Sequence, residues 1–217
     1  GHVSEYAEYT AAGLTVMAVH NHYPKAAVMT GLPDESFIRA DIPMTKREIR
    51  ASVVSRLSPA KDAIVYDIGA GTGSVSVELA MHALYGTVYA VERTKEGCDL
   101  IAQNARKFGL DNIDIINASA ADVIEKLPAA DSVFIGGSGG ELEKIMDIVL
   151  KKNPGVHIVI TAVTLETLND SVRLMEDKKV DVIDIVQIAV TQIKKRGRYH
   201  MLAANNPVFI IEGRGNR

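Results

Sequence analysis

The sequence predicts an α/β fold, a doubly wound seven-stranded sheet with an antiparallel terminal hairpin. Over residues 63–178, short apolar and β-branched runs alternate with segments of helical spacing. This alternation is typical of parallel strands joined by crossover helices. Two further β-rich runs, 180–194 and 206–213, follow with no helical stretch between them, so we expect them to pair antiparallel at the sheet edge.

Each element has its own signal in the sequence. The five parallel strands are predicted at 63–68, 87–92, 113–118, 132–137 and 157–163. The helices that follow them are predicted at 74–85, 95–108, 120–127, 139–152 and 165–178. A helix over 45–57 precedes the first strand, since Thr45 and Glu48 have capping-box spacing and apolar residues recur every fourth position.

The domain organisation expected from this pattern is simple. Residues 31–217 hold the α/β domain, and residues 1–30 form an N-terminal extension. Residues 20–43 carry three prolines and resemble a linker. Residues 13–20 alternate like a strand but have no obvious partner in this chain, so they could be the last strand of a preceding domain.

Composition narrows the class of protein. With 47% hydrophobic and 24% charged residues the chain is expected to be soluble and globular, and its net charge of -3 disfavours a whole-surface nucleic-acid binder. Cys98 is the single cysteine, which excludes an internal disulfide and suits a reducing cytoplasm. No apolar run reaches the roughly 18 residues of a membrane span, and His20 and His22 lack further metal ligands nearby, so we expect no membrane partner and no metal.

A glycine-rich turn, 67-DIGAGTG-73, lies between a predicted strand and a predicted helix. Its glycines let the backbone turn tightly and approach a ligand. Glu92 ends the next strand about 20 residues further on, where a carboxylate can accept hydrogen bonds from ribose hydroxyls. The strand, the helix and the spaced acid together favour ligand binding over a merely structural turn.

The spacing of this turn distinguishes between two cofactors. Dinucleotide sites use G-x-G-x-x-G, because the pyrophosphate needs free amides at the helix N-terminus. Here the spacing is G-x-G-x-G, and Asp67 would place a carboxylate beside the ligand, which favours a sulfonium over a phosphate. The pattern predicts S-adenosylmethionine, and a terminal antiparallel hairpin is typical of class I S-adenosylmethionine-dependent methyltransferases.

Two features bear on the methyl acceptor. The fourth strand runs into 135-IGGSGG-140, which is either a flexible turn or an opening where a bulky, flat substrate reaches the methyl group. The run 194-KKRGRYH-200 is predicted to be the hairpin tip, on the same rim as the glycine turn. The alternative is a solvated loop without a binding role. Its cations would steer a small substrate rich in carboxylates. Tyr199 and His200 are weak candidates for proton handling.

A series of motifs carries a family resemblance. These motifs are 31-GLPDESF-37, 43-PMTKREIR-50, 66-YDIGAGTGSVSVE-78, 134-FIGGSGG-140, 162-AVTLET-167 and 206-NPVFIIEG-213. Together they resemble the decarboxylating precorrin C15-methyltransferases of cobalamin biosynthesis. The resemblance implies methyl transfer to C15 of a (cobalt-)precorrin-6B or -7 tetrapyrrole, with loss of carbon dioxide from the C12 acetate. It also implies a homotetramer and, in many bacteria, fusion behind a C5-methyltransferase domain.

The site residues follow from the turn and from this resemblance. The expected cofactor contacts are Thr45, Asp67, Gly69, Ala70, Gly71, Thr72, Gly73, Glu92, Ser119 and Ala120. The expected substrate contacts are Gly136, Gly137, Ser138, Lys195, Arg196 and Arg198. Two positions depart from the family pattern: 118-ASA-120 stands where Gly-Asp-Ala is expected, and Thr161 stands where Asn is expected.

Other functions stay open on sequence alone. Methyltransferases of the tRNA adenine-N1 and protein isoaspartyl types share the cofactor turn, although a tRNA enzyme needs a broader basic surface than one loop. A non-catalytic S-adenosylmethionine-binding module is the alternative outside enzymes.

Overall fold

A computed structural model describes residues 29–216 of the chain. The strand predicted at 13–20 lies outside these residues. Within residues 29–216, no helix is long and apolar enough to cross a membrane. The same part of the chain contains no group of three His, Cys, Asp or Glu side chains that could hold a metal ion.

The described helices and strands follow the predicted order. The helices are α1 (Arg47–Leu57), α2 (Ser74–His82), α3 (Lys95–Lys107), α4 (Ala120–Val123), α5 (Leu142–Lys152) and α6 (Leu165–Asp177). The strands are β1 (Ile64–Ile68), β2 (Thr87–Glu92), β3 (Ile113–Asn117), β4 (Ser132–Ile135), β5 (His157–Ala162), β6 (Asp181–Ile188), β7 (Thr191–Arg196), β8 (Tyr199–Ala204) and β9 (Val208–Arg214). Short 3₁₀ turns occur at Asp34–Ser36 and Ile124–Lys126.

The main sheet confirms the predicted architecture. Its seven strands lie in the order β3-β2-β1-β4-β5-β9-β6. β1 to β5 are parallel, and β9 lies antiparallel between β5 and β6. β6 therefore runs in the same direction as β1. The carboxyl ends of the parallel strands meet at one edge, which is where open α/β sheets bind ligands.

Helices cover both faces of this sheet. One face packs on α1 and α2 through residues such as Val53 and Leu79, and the other packs on α5 and α6 through Ile145 and Leu174. β4 is buried along its whole length. Strands buried on both faces read as continuous apolar runs, which is why the periodicity of the sequence predicts them well.

The terminal hairpin differs from its prediction. Only β6 pairs with β9, and the rest of the run 180–194 forms β7, which pairs with β8 in a separate two-stranded sheet. Gly197 and Arg198 form the two-residue turn between them, with Gly197 at φ +61°. A two-residue turn with glycine first suits the twist of a hairpin. Most of the predicted tip, 194–200, therefore lies in strands.

The predicted start of the first helix is wrong. α1 begins at Arg47 with Lys46 in the capping position, and no side chain caps it. Thr45 instead offers its backbone carbonyl, which accepts a hydrogen bond from Arg50 Nη1 at 2.7 Å. Just upstream, Leu32 and Phe37 are buried, so this part of the predicted linker is packed onto the domain. We refer to residues 31–45 as the strap.

Candidate functional site

A cleft of about 600 Å³ opens at the carboxyl ends of β1, β2 and β3. Sites for small molecules have volumes in this range. The cleft is lined by Ile42, Pro43, Ile68, Gly69, Gly71, Val91, Glu92, Arg93, Thr94, Glu96, Ala118, Ser119, Ala120, Gly137, Ser138, Gly139 and Glu141.

The glycine turn makes two close approaches that only glycine permits. Gly69 has φ +73°, and a Cβ there would lie 2.5 Å from the Gly137 carbonyl oxygen. Gly73 has φ +74°, and a Cβ there would lie 2.9 Å from Ile101 of α3. Any side chain would add strain at these φ values and clash with its neighbour. The turn after β1 thus packs backbone to backbone against the turn after β4.

Only one half of the glycine turn faces the cleft. Gly69 is exposed and Gly71 is half-buried, whereas Thr72, Gly73 and Ser74 are buried. Neither Gly73 nor Ser74, where α2 begins, lines the cleft. A pyrophosphate needs access to those first amides. The geometry therefore favours a ligand without phosphate.

The Glu92 carboxylate is held in place at the edge of the cleft. Oε2 accepts a hydrogen bond from the Gly71 amide at 3.0 Å, and Oε1 accepts from the amide and hydroxyl of Thr94 at 2.9 and 2.8 Å. A Cβ at Gly97 would lie 2.6 Å from Glu92 Cγ, so α3 also supports this side chain. A carboxylate has about four lone-pair sites. The Thr94 hydroxyl is the donor that can rotate away when another hydroxyl binds.

Asp67 lies behind the glycine turn and does not line the cleft. Its side chain is fully buried, and Ser76 Oγ donates a hydrogen bond to Oδ2. Oδ1 is buried without a hydrogen-bond partner among residues 29–216. Burial raises the pKa of Asp67 to about 7, against the opposing effect of the Ser76 hydrogen bonds. In the structure as described, Asp67 is an internal support of the turn.

Ser119 is paired with an acid that the sequence analysis did not identify. The Ser119 hydroxyl donates a hydrogen bond to Glu141 Oε2, and both residues line the cleft. The Glu141 side chain is 37% exposed, and the nearest cation, Lys144 Nζ, lies 3.9 Å from Glu141 Oε1. Glu141 directly follows the glycine run after β4, which is the signal that could have identified it.

A second pocket, of about 260 Å³, adjoins the cleft at the ends of β4 and β5. The two share Gly137, Ser138 and Gly139 as a common wall. Thr161 lines the second pocket, and Val163 lines it with 68% of its surface exposed. The glycine run after β4 thus separates two spaces and keeps them close together.

The predicted hairpin residues lie elsewhere. Lys195 and Arg196 are exposed on β7, while Tyr199 and His200 are exposed on β8. Arg198 lies in the turn, where its guanidinium stacks 5.0 Å from the ring centre of Tyr199 and donates to the Tyr199 hydroxyl at 2.7 Å. None of these residues lines the cleft or the second pocket.

The structure therefore brings together part of the predicted site. The expected residues that line the cleft are Gly69, Gly71, Glu92, Ser119, Ala120, Gly137 and Ser138, and Gly136 lines the second pocket. The expected cofactor contacts that line neither are Thr45, Asp67, Ala70, Thr72 and Gly73. Lining residues that are not among the expected contacts are Ile42, Pro43, Ile68, Val91, Arg93, Thr94, Glu96, Ala118, Gly139 and Glu141.

The raised pKa of Asp67 predicts a pH dependence of folding stability. Because the folded state keeps this proton up to about pH 7 while the unfolded chain loses it near the ordinary aspartate pKa of 3.8, stability falls as pH rises through that window. Asp67→Asn removes the ionisation. We expect the free energy of unfolding of Asp67→Asn to rise relative to the wild type between pH 4 and pH 7 and to stay level above, measured by urea unfolding.

The control for this measurement is Asp122→Asn, which changes an exposed carboxyl whose side chain is 68% accessible. This variant removes one carboxyl from the surface, and the change in Asp67→Asn is measured relative to it at each pH. A difference between Asp67→Asn and the wild type that does not change with pH would contradict the raised pKa.

Comparisons with known proteins agree with this geometry. A family model described as a precorrin methyltransferase domain matches residues 36–213. A relative from Pyrobaculum calidifontis, named "Probable cobalt-precorrin-6B C(15)-methyltransferase (decarboxylating)", is 40% identical over 184 residues, covering 83% of this chain and 94% of that protein.

Two solved structures are also similar. Precorrin-6y C5,15-methyltransferase from Geobacter metallireducens is 38% identical, with a TM-score of 0.79, over 85% of this chain and 95% of that chain. Precorrin 8W decarboxylase from Methanobacterium thermoautotrophicum is 33% identical, with a TM-score of 0.79, over 84% and 98%. Sequence, sheet order and cleft thus agree, and the chain belongs to the precorrin methyltransferase domain family.

Proposed function

We propose that the protein transfers a methyl group from S-adenosylmethionine to C15 of a (cobalt-)precorrin-6B or -7 and removes carbon dioxide from its C12 acetate. This reaction belongs to cobalamin biosynthesis. The observation that carries the proposal is the pairing of two spaces across one glycine wall, a cleft for the methyl donor and an open pocket for the acceptor. The names of the similar proteins support the same reaction.

The cleft fits S-adenosylmethionine. Glu92 is oriented to accept from a ribose hydroxyl, and Gly69 and Gly71 leave room for the chain that carries the sulfonium. The buried start of α2 offers no phosphate site, which this ligand does not need. When bound, S-adenosylmethionine supplies an electrophilic methyl group.

We assign the adenine end of the cleft to Ser119, Ala120 and Glu141. Ser119 stands where the family pattern has Asp, and its hydroxyl donates to Glu141. The carboxylate of Glu141, a residue that lines the cleft, can accept from the exocyclic amine of adenine. A carboxylate from the turn after β4 thus replaces the one expected after β3.

The residues of this chain contribute to the reaction mainly by positioning the methyl donor and the acceptor. Two of the three residues in the shared wall, Gly137 and Gly139, have no Cβ, which leaves room for the acceptor carbon and the donor methyl to approach each other. Alignment at about 3 Å and exclusion of water account for much of the rate of such transfers. When the bond to the acetate carboxyl breaks, its electron pair passes into the conjugated macrocycle. We therefore assign no general base, and Tyr199 and His200 remain weak candidates on an exposed hairpin.

The β7–β8 hairpin supports two further proposals. Lys195, Arg196 and Arg198 are exposed cations that suit the carboxylates of a tetrapyrrole.

The hairpin and the edge strand β6 also expose large apolar side chains, including Ile183 at 54%, Ile193 at 67% and Leu202 at 75%. Exposed apolar surface of this kind marks an interaction site. It supports the homotetramer that the family resemblance implies.

We also propose a cellular location and a domain organisation for the enzyme. Cys98 is the single cysteine in the chain, which suits a reducing cytoplasm. A solved relative is named a C5,15-methyltransferase. This name supports the proposal that residues 31–217 are one methyltransferase domain and that residues 1–30 derive from a preceding one.

The direct test is methyl transfer to a precorrin. With S-adenosylmethionine and precorrin-6B or its cobalt form, mass spectrometry should show a product that has gained a methyl group and lost carbon dioxide.

Glu92→Ala should weaken S-adenosylmethionine binding by about 10- to 100-fold, the effect of losing a charged hydrogen-bond acceptor. Glu96→Ala, an exposed acid that lines the same cleft, is the matched control and should bind within about twofold of wild type.

Binding of S-adenosylmethionine without any product would reject the enzyme and favour a non-catalytic module. Methylation of tRNA or of isoaspartyl peptides in place of the precorrin would support the alternative methyltransferases.

The adenine assignment predicts base discrimination. The wild type should bind S-adenosylhomocysteine more tightly than S-inosylhomocysteine, which lacks the exocyclic amine. Glu141→Ala should reduce that preference by about tenfold, the cost of one hydrogen bond to a charged group, as measured by calorimetry. Glu143→Ala, in the first turn of α5 and outside the cleft, is the control. Equal preference in Glu141→Ala and wild type would remove Glu141 from the adenine site.

The basic hairpin predicts a salt-dependent effect on the acceptor alone. Arg196→Ala with Arg198→Ala should raise KM for the tetrapyrrole several-fold at low salt and leave S-adenosylmethionine binding unchanged, because screening acts on exposed charges. The control pair, Arg106→Ala with Lys107→Ala, removes two exposed cations at the end of α3. Unchanged tetrapyrrole affinity in the hairpin variant, with its fold intact, would refute this role.

A further inference from the structure

The strap forms the outer wall of the cleft. Ile42 and Pro43 are the strap residues that line it. The Pro43 carbonyl oxygen lies only 3.1 Å from where a Cβ on Gly71 would stand. The spacing between the strap and the glycine turn therefore sets the width of the cleft on this side.

Asn104 of α3 joins the strap directly to the glycine turn. Its Oδ1 accepts a hydrogen bond from the Ile38 amide at 2.7 Å, and its Nδ2 donates to the Ile38 carbonyl at 2.9 Å. The same Nδ2 donates to the Thr72 carbonyl, also at 2.9 Å. The side chain is fully buried. All three of these bonds go to the two segments that face each other across the cleft wall.

A second attachment lies at the start of the strap. The buried Arg50 donates to Glu78 Oε1 at 2.6 Å and to Asp34 Oδ1 at 3.2 Å. Glu78 in turn accepts from the amides of Gly31 and Leu32 at 2.8 and 3.0 Å. Arg50 also donates to Thr45 at the other end of the strap. The strap is thus fixed at both ends by Arg50 and in the middle by Asn104.

We propose that Asn104, and Asp34 through Arg50, are positioning residues for the methyl donor, because they hold Ile42 and Pro43 at the spacing that closes the cleft. This inference rests on the proposed function. The buried side chains of Leu32 and Phe37 keep the strap on the domain when Asn104 is removed. Loss of Asn104 therefore shifts the wall and leaves the domain folded.

The test compares two asparagines that make the same kind of contact. Asn112 Nδ2 donates to the carbonyls of Ala80 and Ala83 at 3.0 and 2.7 Å, away from the strap and the cleft. Thermal unfolding should show that Asn104→Ala and Asn112→Ala both lose stability yet fold. Calorimetry should show S-adenosylhomocysteine binding weakened about tenfold in Asn104→Ala and within about twofold of wild type in Asn112→Ala.

A coupling measurement separates positioning from general destabilisation. If Asn104 acts by placing Ile42, its removal should cost much less affinity in an Ile42→Ala background than in the wild type. Additive losses in this double-mutant cycle would overturn the inference. So would binding by Asn104→Ala within twofold of wild type.

Asp34→Ala provides the second variant if Asn104→Ala does not fold. It removes the partly exposed acceptor of Arg50 and leaves the buried Arg50–Glu78 pair intact. We expect a several-fold loss of S-adenosylhomocysteine affinity with little change in melting temperature, and unchanged affinity would count against the inference. Failure of the wild type itself to bind S-adenosylhomocysteine would instead reject the proposed cofactor.

Discussion

The buried ion pair between Arg50 and Glu78 is the interaction on which the cleft side of this molecule depends. Both side chains are fully excluded from solvent and their closest polar atoms are 2.6 Å apart. A buried pair is stable only when its remaining donors and acceptors are also satisfied. Here the backbone of the strap satisfies them, at Gly31, Leu32 and Thr45. The ion pair between α1 and α2 is therefore stable only with the strap in place, and the ion pair in turn holds the strap.

The sheet could be predicted from the sequence because its constraints are local and repeated. β1, β4 and β5 are buried along nearly their whole length and are marked by apolar runs, and each crossover helix is marked by its own periodicity. Glu92 could be predicted for a similar reason, since the carboxyl end of β2 always lies beside that of β1 in this strand order. The Gly69 and Gly71 contacts to the cleft follow from the same geometry.

The other residues of the site could not be predicted, because their positions depend on how the loops fold over the sheet. The spacing of residues in the sequence does not show this. Ile42 and Pro43 reach the cleft because the strap folds back over the domain, where its backbone is hydrogen-bonded by Arg50 and Asn104. Glu141 meets Ser119 across two turns that are distant in sequence. Asp67 was expected beside the ligand because it begins the glycine motif, yet its side chain points to Ser76. The β7–β8 hairpin was not predicted as a separate sheet, because its run of charged residues is more typical of a loop than of a strand.

The contact between Gly69 and Gly137 has a consequence for evolution and for protein engineering. One turn lines the cleft and the other forms the wall that the cleft shares with the second pocket, and the backbone of Gly137 leaves no space for a side chain on Gly69. A side chain on Gly69 would disturb both spaces at once, whereas a Cβ on Gly137 would meet open space. The open side of the second pocket, at Thr161, Val163 and Thr167, is free of the constraint at Gly69. A variant library aimed at other macrocycles should be built on those three positions.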